Sequence, residues 1–209
     1  WFVPVRPAFA PDSTTLVRIT LPTKRTDTLL RIATPTFRPD RTAGPGVVRV
    51  IAPGFQPVTG WGVFPDGRLP AVHGADYRPE IFNLDGSRTR ASAIAYAPTA
   101  VTAADKARHL QETVAEMRRR LSGELAAGAG GKMPRLQAGA PDQWPAMLPP
   151  LRSPTIHVDS RGRAWVLVTD PTRAGGDRFD LLNAQGKRID ALRLPAQVTL
   201  VGMGRGVFY

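Results

Sequence analysis

The chain has 209 residues, 42% of them hydrophobic, and no cysteine, which excludes a disulfide framework, a thiolate metal site and a cysteine nucleophile. With 28 Lys and Arg against 17 Asp and Glu, the formal charge is +11, a balance that attracts nucleic acid, an acidic lipid surface or an acidic protein. The 21 prolines and 20 glycines argue for short segments joined by turns, and no run approaches the ~20 apolar residues of a membrane-spanning helix.

The chain begins WFVPVRPAF, without an initiator methionine, and is expected to be the ordered or processed part of a longer protein. Residues 16–32, LVRITLPTKRTDTLLRI, read as strand, polar turn at Thr23-Lys24, strand. VVRVIAPGF (47–55) reads as a further short strand that opens the next unit.

Residues 58–94 hold two hairpins. The first turns at Pro65-Asp66-Gly67 and the second, in EIFNLDGSRTR, at Leu84-Asp85-Gly86. Residues 155–194 repeat the design: TIHVDSRGRAWVLVTD turns at Ser160-Arg161-Gly162, and DRFDLLNAQGKRIDALRL turns at Ala184-Gln185-Gly186. Glycine at each turn allows a positive φ. QVTLVGMGRGVFY (197–209) reads as a strand pair opening a fourth unit. A four-stranded antiparallel unit of about 40–45 residues that recurs along the chain predicts an all-β fold of β-propeller blades, partial or incomplete as a ring. The whole of 1–209 is expected to form one such domain.

Between the copies, 96–150 reads as an insertion. VTAADKARHLQETVAEMRRRLSGEL is a helix, N-capped by Thr102 with Asp105 completing a capping box. Ala107, Leu110, Val114, Met117, Leu121 and Leu125 form one apolar stripe. Arg118, Arg119 and Arg120 fall in the expected last turns, where cations suit the helix dipole. The following Gly/Ala/Pro stretch is predicted as a flexible linker ending in polyproline II.

The succession GWGVFPDGRLPAV, PEIFNLDGSRTR, PTAVTAADKARHLQE, WPAMLPPL, DSRGRAWVLVTD, FDLLNAQGKRIDALRLP and LVGMGRGVFY resembles a bacterial six-bladed β-propeller family common in Gemmatimonadota. The resemblance covers most of the chain. It implies a propeller of which this chain is roughly the C-terminal half, in a periplasmic or otherwise extracytoplasmic setting. It carries over no catalytic residue, because its motifs are turns and core positions. Pro70 and His73 depart from it, interrupting the strand after Asp66-Gly67-Arg68.

No catalytic residue, metal ligand or cofactor site is assigned. His109 reads as a solvated helix residue, and His157 as a strand histidine. A metal-dependent hydrolase of the lactonase type would have to gather His73, Asp76, His157 and Asp159 at one end of a propeller. A basic anion-binding module is the other alternative. No aromatic residues interleave with the arginine run, which disfavours nucleic acid. The leading expectation is a non-catalytic, protein-binding accessory or scaffold subunit of a larger bacterial complex, membrane-associated and respiratory or photosynthetic in kind. Its partners would be other subunits with acidic surfaces, or anionic lipid headgroups. Trp1, Phe2 and Trp144, in Pro-rich contexts, and Arg118, Arg119 and Arg120 are the expected contacts.

Overall fold

A computed structural model of the chain describes residues 2–5, 13–21, 23–33, 37–40, 42–44, 46–124, 134–172, 175–200 and 202–203, with backbone alone at 2–5, 120 and 123–124. In chain order the elements are β1 (Phe2–Val5), β2 (Ser13–Thr20), β3 (Arg25–Ala33), β4 (Arg38–Pro39), β5 (Val47–Ile51), β6 (Thr59–Trp61), β7 (Leu69–His73), β8 (Arg78–Phe82) and β9 (Arg88–Arg90). There follow β10 (Thr99–Ala100), α1 (Ala103–Glu124), β11 (Arg135–Gly139), β12 (Met147–Leu148), β13 (Leu151–Val158), β14 (Ala164–Val168), β15 (Arg178–Leu182) and β16 (Arg188–Arg193). The protein is therefore built mainly of strands. They fall into two compact units, residues 1–34, 57–99 and 148–209, and residues 35–56 and 100–147.

In the first unit both four-stranded copies form where the sequence places them. Each copy is a meander, β6-β7-β8-β9 and β13-β14-β15-β16, and the two join through a parallel β6·β13 contact into one eight-stranded sheet. Their turns are built alike. Phe64 N bonds Arg68 O and Gly67 N bonds Phe64 O, and Asp159 N and Gly162 N make the corresponding bonds to Arg163 O and Asp159 O. Asn83 and Asn183 repeat the same pair of bonds with Ser87 and Gly86, and with Lys187 and Gly186. All four turns close on a left-handed glycine (Gly67, Gly86, Gly162, Gly186), the signature of a three-to-five-residue hairpin loop with a bulge.

The sheet curls so that its halves face one another. Val72, Tyr77 and Ile81 of the first copy bury against Leu151, Ile156, Ala164, Val166, Val168 and Leu182 of the second. The other face of the first copy, Leu69, Ala71 and Phe82, packs on Leu16, Leu29 and Ile32 of the β1-β2-β3 sheet. The far face of the second copy, Trp165, Phe179 and Leu181, is met by Leu200. The order is directional. Phe82 and Leu182 are corresponding residues, and each points at the preceding layer; Ile81 and Leu181 each point at the following one. Burying both faces explains why the strands read as apolar runs with little alternation. Each large side chain so removed from water contributes about 1.5–3 kcal/mol.

Gly62 makes the joint between the copies possible. A Cβ there would stand 2.7 Å from the Ile156 carbonyl oxygen, so any side chain would push β13 off the end of β6.

Several expectations are corrected. Pro70 and His73 do not interrupt their strand, since β7 runs unbroken through both. Gly62 N donates to Pro70 O at 3.0 Å, so the nitrogen of Pro70 faces the same edge, just past the end of β6, where its missing donor breaks no ladder bond. The strand at 47–55 does not open a unit of the repeat. In the second unit β5 runs parallel to β11, Val47 opposite Arg135 through Ile51 opposite Gly139, and β4 flanks its other edge. The supposed linker thus contains a strand at 135–139 and the short β12, while residues 125–133 lie outside the described set. The fourth-unit strand pair at 197–209 falls largely outside it too; residues 198–200 are irregular and Met203 makes an isolated bridge.

Candidate functional site

Helix α1 begins as its sequence predicts. Thr102 Oγ1 accepts from Asp105 N at 3.2 Å, and Asp105 Oδ2 accepts from Thr102 N at 2.9 Å, a reciprocal capping box. The helix runs on to Glu124 with no basic residue in its last turn. The three arginines therefore lie in its interior, too far from its end for the dipole argument to apply. Arg118 and Arg119 are exposed, and Arg119 Nε donates to Glu116 Oε2 at 3.1 Å. The side chain of Arg120, that of Phe2 in β1, and all of Trp1 lie outside the described set.

Trp144 is half-buried within the second unit rather than an exposed ring. Its ring centroid stands 5.2 Å from Phe55 and 5.7 Å from His109, and Lys106 Nζ lies 5.8 Å over it. His109 is correspondingly not a solvated helix residue. Its Nε2 donates to Pro53 O at 2.7 Å, and because a carbonyl can only accept, the proton sits on Nε2. The aromatic group fastens α1 to the 53–55 segment. Its sequence signal was the apolar Phe55 beyond β5, which looked like the tail of a strand.

The candidate metal ligands are held apart in separate local pairings. His73 Nε2 and Glu80 Oε2 lie 3.0 Å apart, and Arg78 Nε donates to Asp76 Oδ2 at 2.7 Å. Asp159 is saturated by its own turn: Oδ1 accepts from the backbone of Arg161 and Arg163, and Oδ2 from Arg163 Nε at 2.7 Å and Trp165 Nε1 at 3.1 Å. Burial pushes its carboxyl up, but the bonds from Arg163 and Trp165 outweigh it and hold the group below its usual value. His157 is half-buried, and that burial lowers its pKa. Among the described residues no three His, Asp or Glu side chains gather as a metal group.

The polar groups that the sequence did not single out lie in the seams between layers. Asp180 is 2% exposed and accepts from Tyr77 Oη at 2.6 Å, with Arg188 at 3.4 Å and Arg178 at 3.5 Å. Burial, reinforced by the Asp180 carboxylate, drives the Tyr77 phenol far above its usual value. Two arginines then tie each layer to the next. Arg18 Nη1 donates to the carbonyls of Asn83 and Leu84, at 3.1 and 3.0 Å. Arg68 Nη1 donates to Ala184 O, the residue corresponding to Leu84, at 3.3 Å. Glu80 and Asp180 occupy corresponding positions, three residues before the turn asparagines Asn83 and Asn183.

The two edges of the curled sheet, β9 and β16, are exposed throughout. They carry Arg88, Arg90, Arg188 and Arg193, with Ile189 51% and Leu192 40% exposed. No helix of the described residues is long and apolar enough to cross a membrane. Comparison of the chain with protein-family models, curated proteins and solved structures finds no match.

Proposed function

We propose that the two four-stranded copies are blades of a β-propeller, and that the protein is a non-catalytic binding module, an extracytoplasmic accessory or scaffold subunit of a larger assembly. The observation that carries this reading is the head-to-tail packing, in which corresponding residues of successive copies face the preceding layer. Two copies do not complete a ring, so the faces at the two ends of the stack need further layers or partners to cover them. The exposed β16 edge, with Ile189 and Leu192 among arginines, has the composition of a surface that receives an acidic partner with an apolar centre.

The test is purification of the tagged protein from native membrane and soluble fractions after cross-linking, beside an Ile189→Asp/Leu192→Asp variant. The expected result is a stoichiometric partner from the extracytoplasmic fraction that the variant loses while keeping its thermal midpoint. Equal capture by both proteins, or a lone monomer in the wild type, overturns the reading.

A further inference from the structure

The repeat supplies an internal control for its own seams. In the second copy the Asn183–Gly186 turn is packed shut against the layer before it. A Cβ on Gly186 would meet Pro79 Cβ at 2.8 Å and Ala91 Cβ at 3.2 Å, and Arg188 turns inward to Asp180. In the first copy the corresponding turn stands open. A Cβ on Gly86 would meet nothing within 4 Å. Arg88, the counterpart of Arg188, has no carboxylate partner among the described residues, and its guanidinium lies 5.0 Å over the Phe82 ring.

The opening is a cavity of about 200 Å³ between this turn and the β2-β3 hairpin, floored by Leu29 and Phe82 and walled by Arg18, Arg25, Asp27 and Arg88. Three guanidinium groups face one carboxylate. Asp27 is shared between Arg18 Nη2 at 3.2 Å and Arg25 Nε at 2.8 Å. Arg18 Nε is buried without a hydrogen-bond partner. The Asp85 carboxylate, held in its own turn by Ser87 N and Oγ, also feels the charge of Arg18, but it does not line the cleft, whose own walls carry three guanidinium groups and one carboxylate. The cleft thus presents positive charge on an apolar floor, at a size well below the 300–1,000 Å³ of drug-sized pockets.

We propose that this cleft binds a small oxyanion, the phosphate or carboxylate group of a low-molecular-weight ligand. Arg88 and Arg25 supply the planar donor forks that match such a group. The proposal does not depend on the propeller reading, since it rests on one seam of the described layers.

The experiment is a titration of the isotope-labelled protein with inorganic phosphate and, separately, citrate, at constant ionic strength. Saturable shifts are expected at the amides of 27–29 and 83–88. Arg88→Ala and Arg25→Ala should each weaken binding at least tenfold, and Arg161→Ala, which removes an exposed arginine on the β13-β14 turn, should not. Saturation by phosphate alone assigns a phosphate ligand, and by citrate alone a carboxylate. No saturation by either anion, or equal weakening by Arg161→Ala, overturns the proposal. Arg25 and Arg88 are both exposed, and an unchanged thermal midpoint shows that each variant folds.

Discussion

The Tyr77 hydroxyl donates a 2.6 Å hydrogen bond to Asp180 Oδ2 across 103 residues of chain and across the seam between the two copies. The bond fixes the register of one layer on the next at a point where an unpaired carboxylate would be costly. Asp180 Oδ1 already lacks a hydrogen-bond partner, and Arg178 approaches it no closer than 3.5 Å. Tyr77→Phe removes the short bond and leaves the ring volume intact. A buried hydrogen bond to a charged group is worth about 1.5–3 kcal/mol, which in a chain of this size lowers the melting midpoint by several degrees. Tyr96, 43% exposed and edge-on to Tyr77 at 6.2 Å, is the control. Tyr96→Phe should change the midpoint by less than one degree. Equal effects of the two substitutions in thermal unfolding would show that the seam bond contributes nothing.

The two Asn-x-x-Gly turns allow the contact between layers to be separated from the turn itself. Gly86 and Gly186 both adopt positive φ, 90° and 78°, so alanine at either position meets the same left-handed penalty of about 1–2 kcal/mol. At Gly186 the new methyl also collides with Pro79 and Ala91, adding an overpacking cost of about 1–3 kcal/mol. Gly186→Ala should therefore be the more destabilising of the two by that second amount, measured by urea denaturation. Equal losses would mean that the layers are not in contact at this turn.

What could be read in advance follows from where local chemistry decides the structure. The four turns were legible because a left-handed position demands glycine, and the start of α1 because Thr102 and Asp105 satisfy each other's backbone donors. The β5·β11 pairing was not, because Arg135–Gly139 (RLQAG) has little strand propensity of its own and takes its form from the parallel partner VVRVI. Asp180 was passed over for a related reason. In a sheet buried on both faces, an acid between Phe179 and Leu181 carries no mark of pointing inward. Trp144 was misplaced because proline-rich context says nothing of burial, and its neighbours Phe55 and His109 are distant in sequence.

The capping box gives a prediction confined to the second unit. Thr102→Ala removes the acceptor for Asp105 N and frees the Asp105 carboxylate from the Thr102 hydroxyl, 2.6 Å away. Loss of an N-cap of this kind costs about 1 kcal/mol. Hydrogen exchange should speed up in the first turns of α1 while the amides of β14 and β15 keep their protection. Uniform acceleration through both units would show that the cap acts on the whole fold instead.

Stability should fall with acid in two steps. The burial of His157 sets its folded pKa below the usual 6.5. The unfolded chain therefore binds the proton first, and the contribution of the neutral imidazole, complete above that value, diminishes as pH drops through it. Asp159 is also held below its usual 3.8, so its contribution is complete above about pH 5 and declines as pH falls through 3.8 toward the folded value. Unfolding free energies measured from pH 7.5 to 3 should show both declines. His157→Gln should flatten the curve between pH 7 and 5 and leave the lower arm. Asp159→Asn should reduce the lower arm alone. Asparagine fits this turn, because Asn183 Oδ1 accepts from Gln185 N and Lys187 N as Asp159 Oδ1 does from Arg161 N and Arg163 N. The variant thus keeps the turn and loses the charge that holds Arg163 and Trp165. A curve for Asp159→Asn that parallels the wild type down to pH 3 would show that the carboxylate carries no net stabilising charge in the fold.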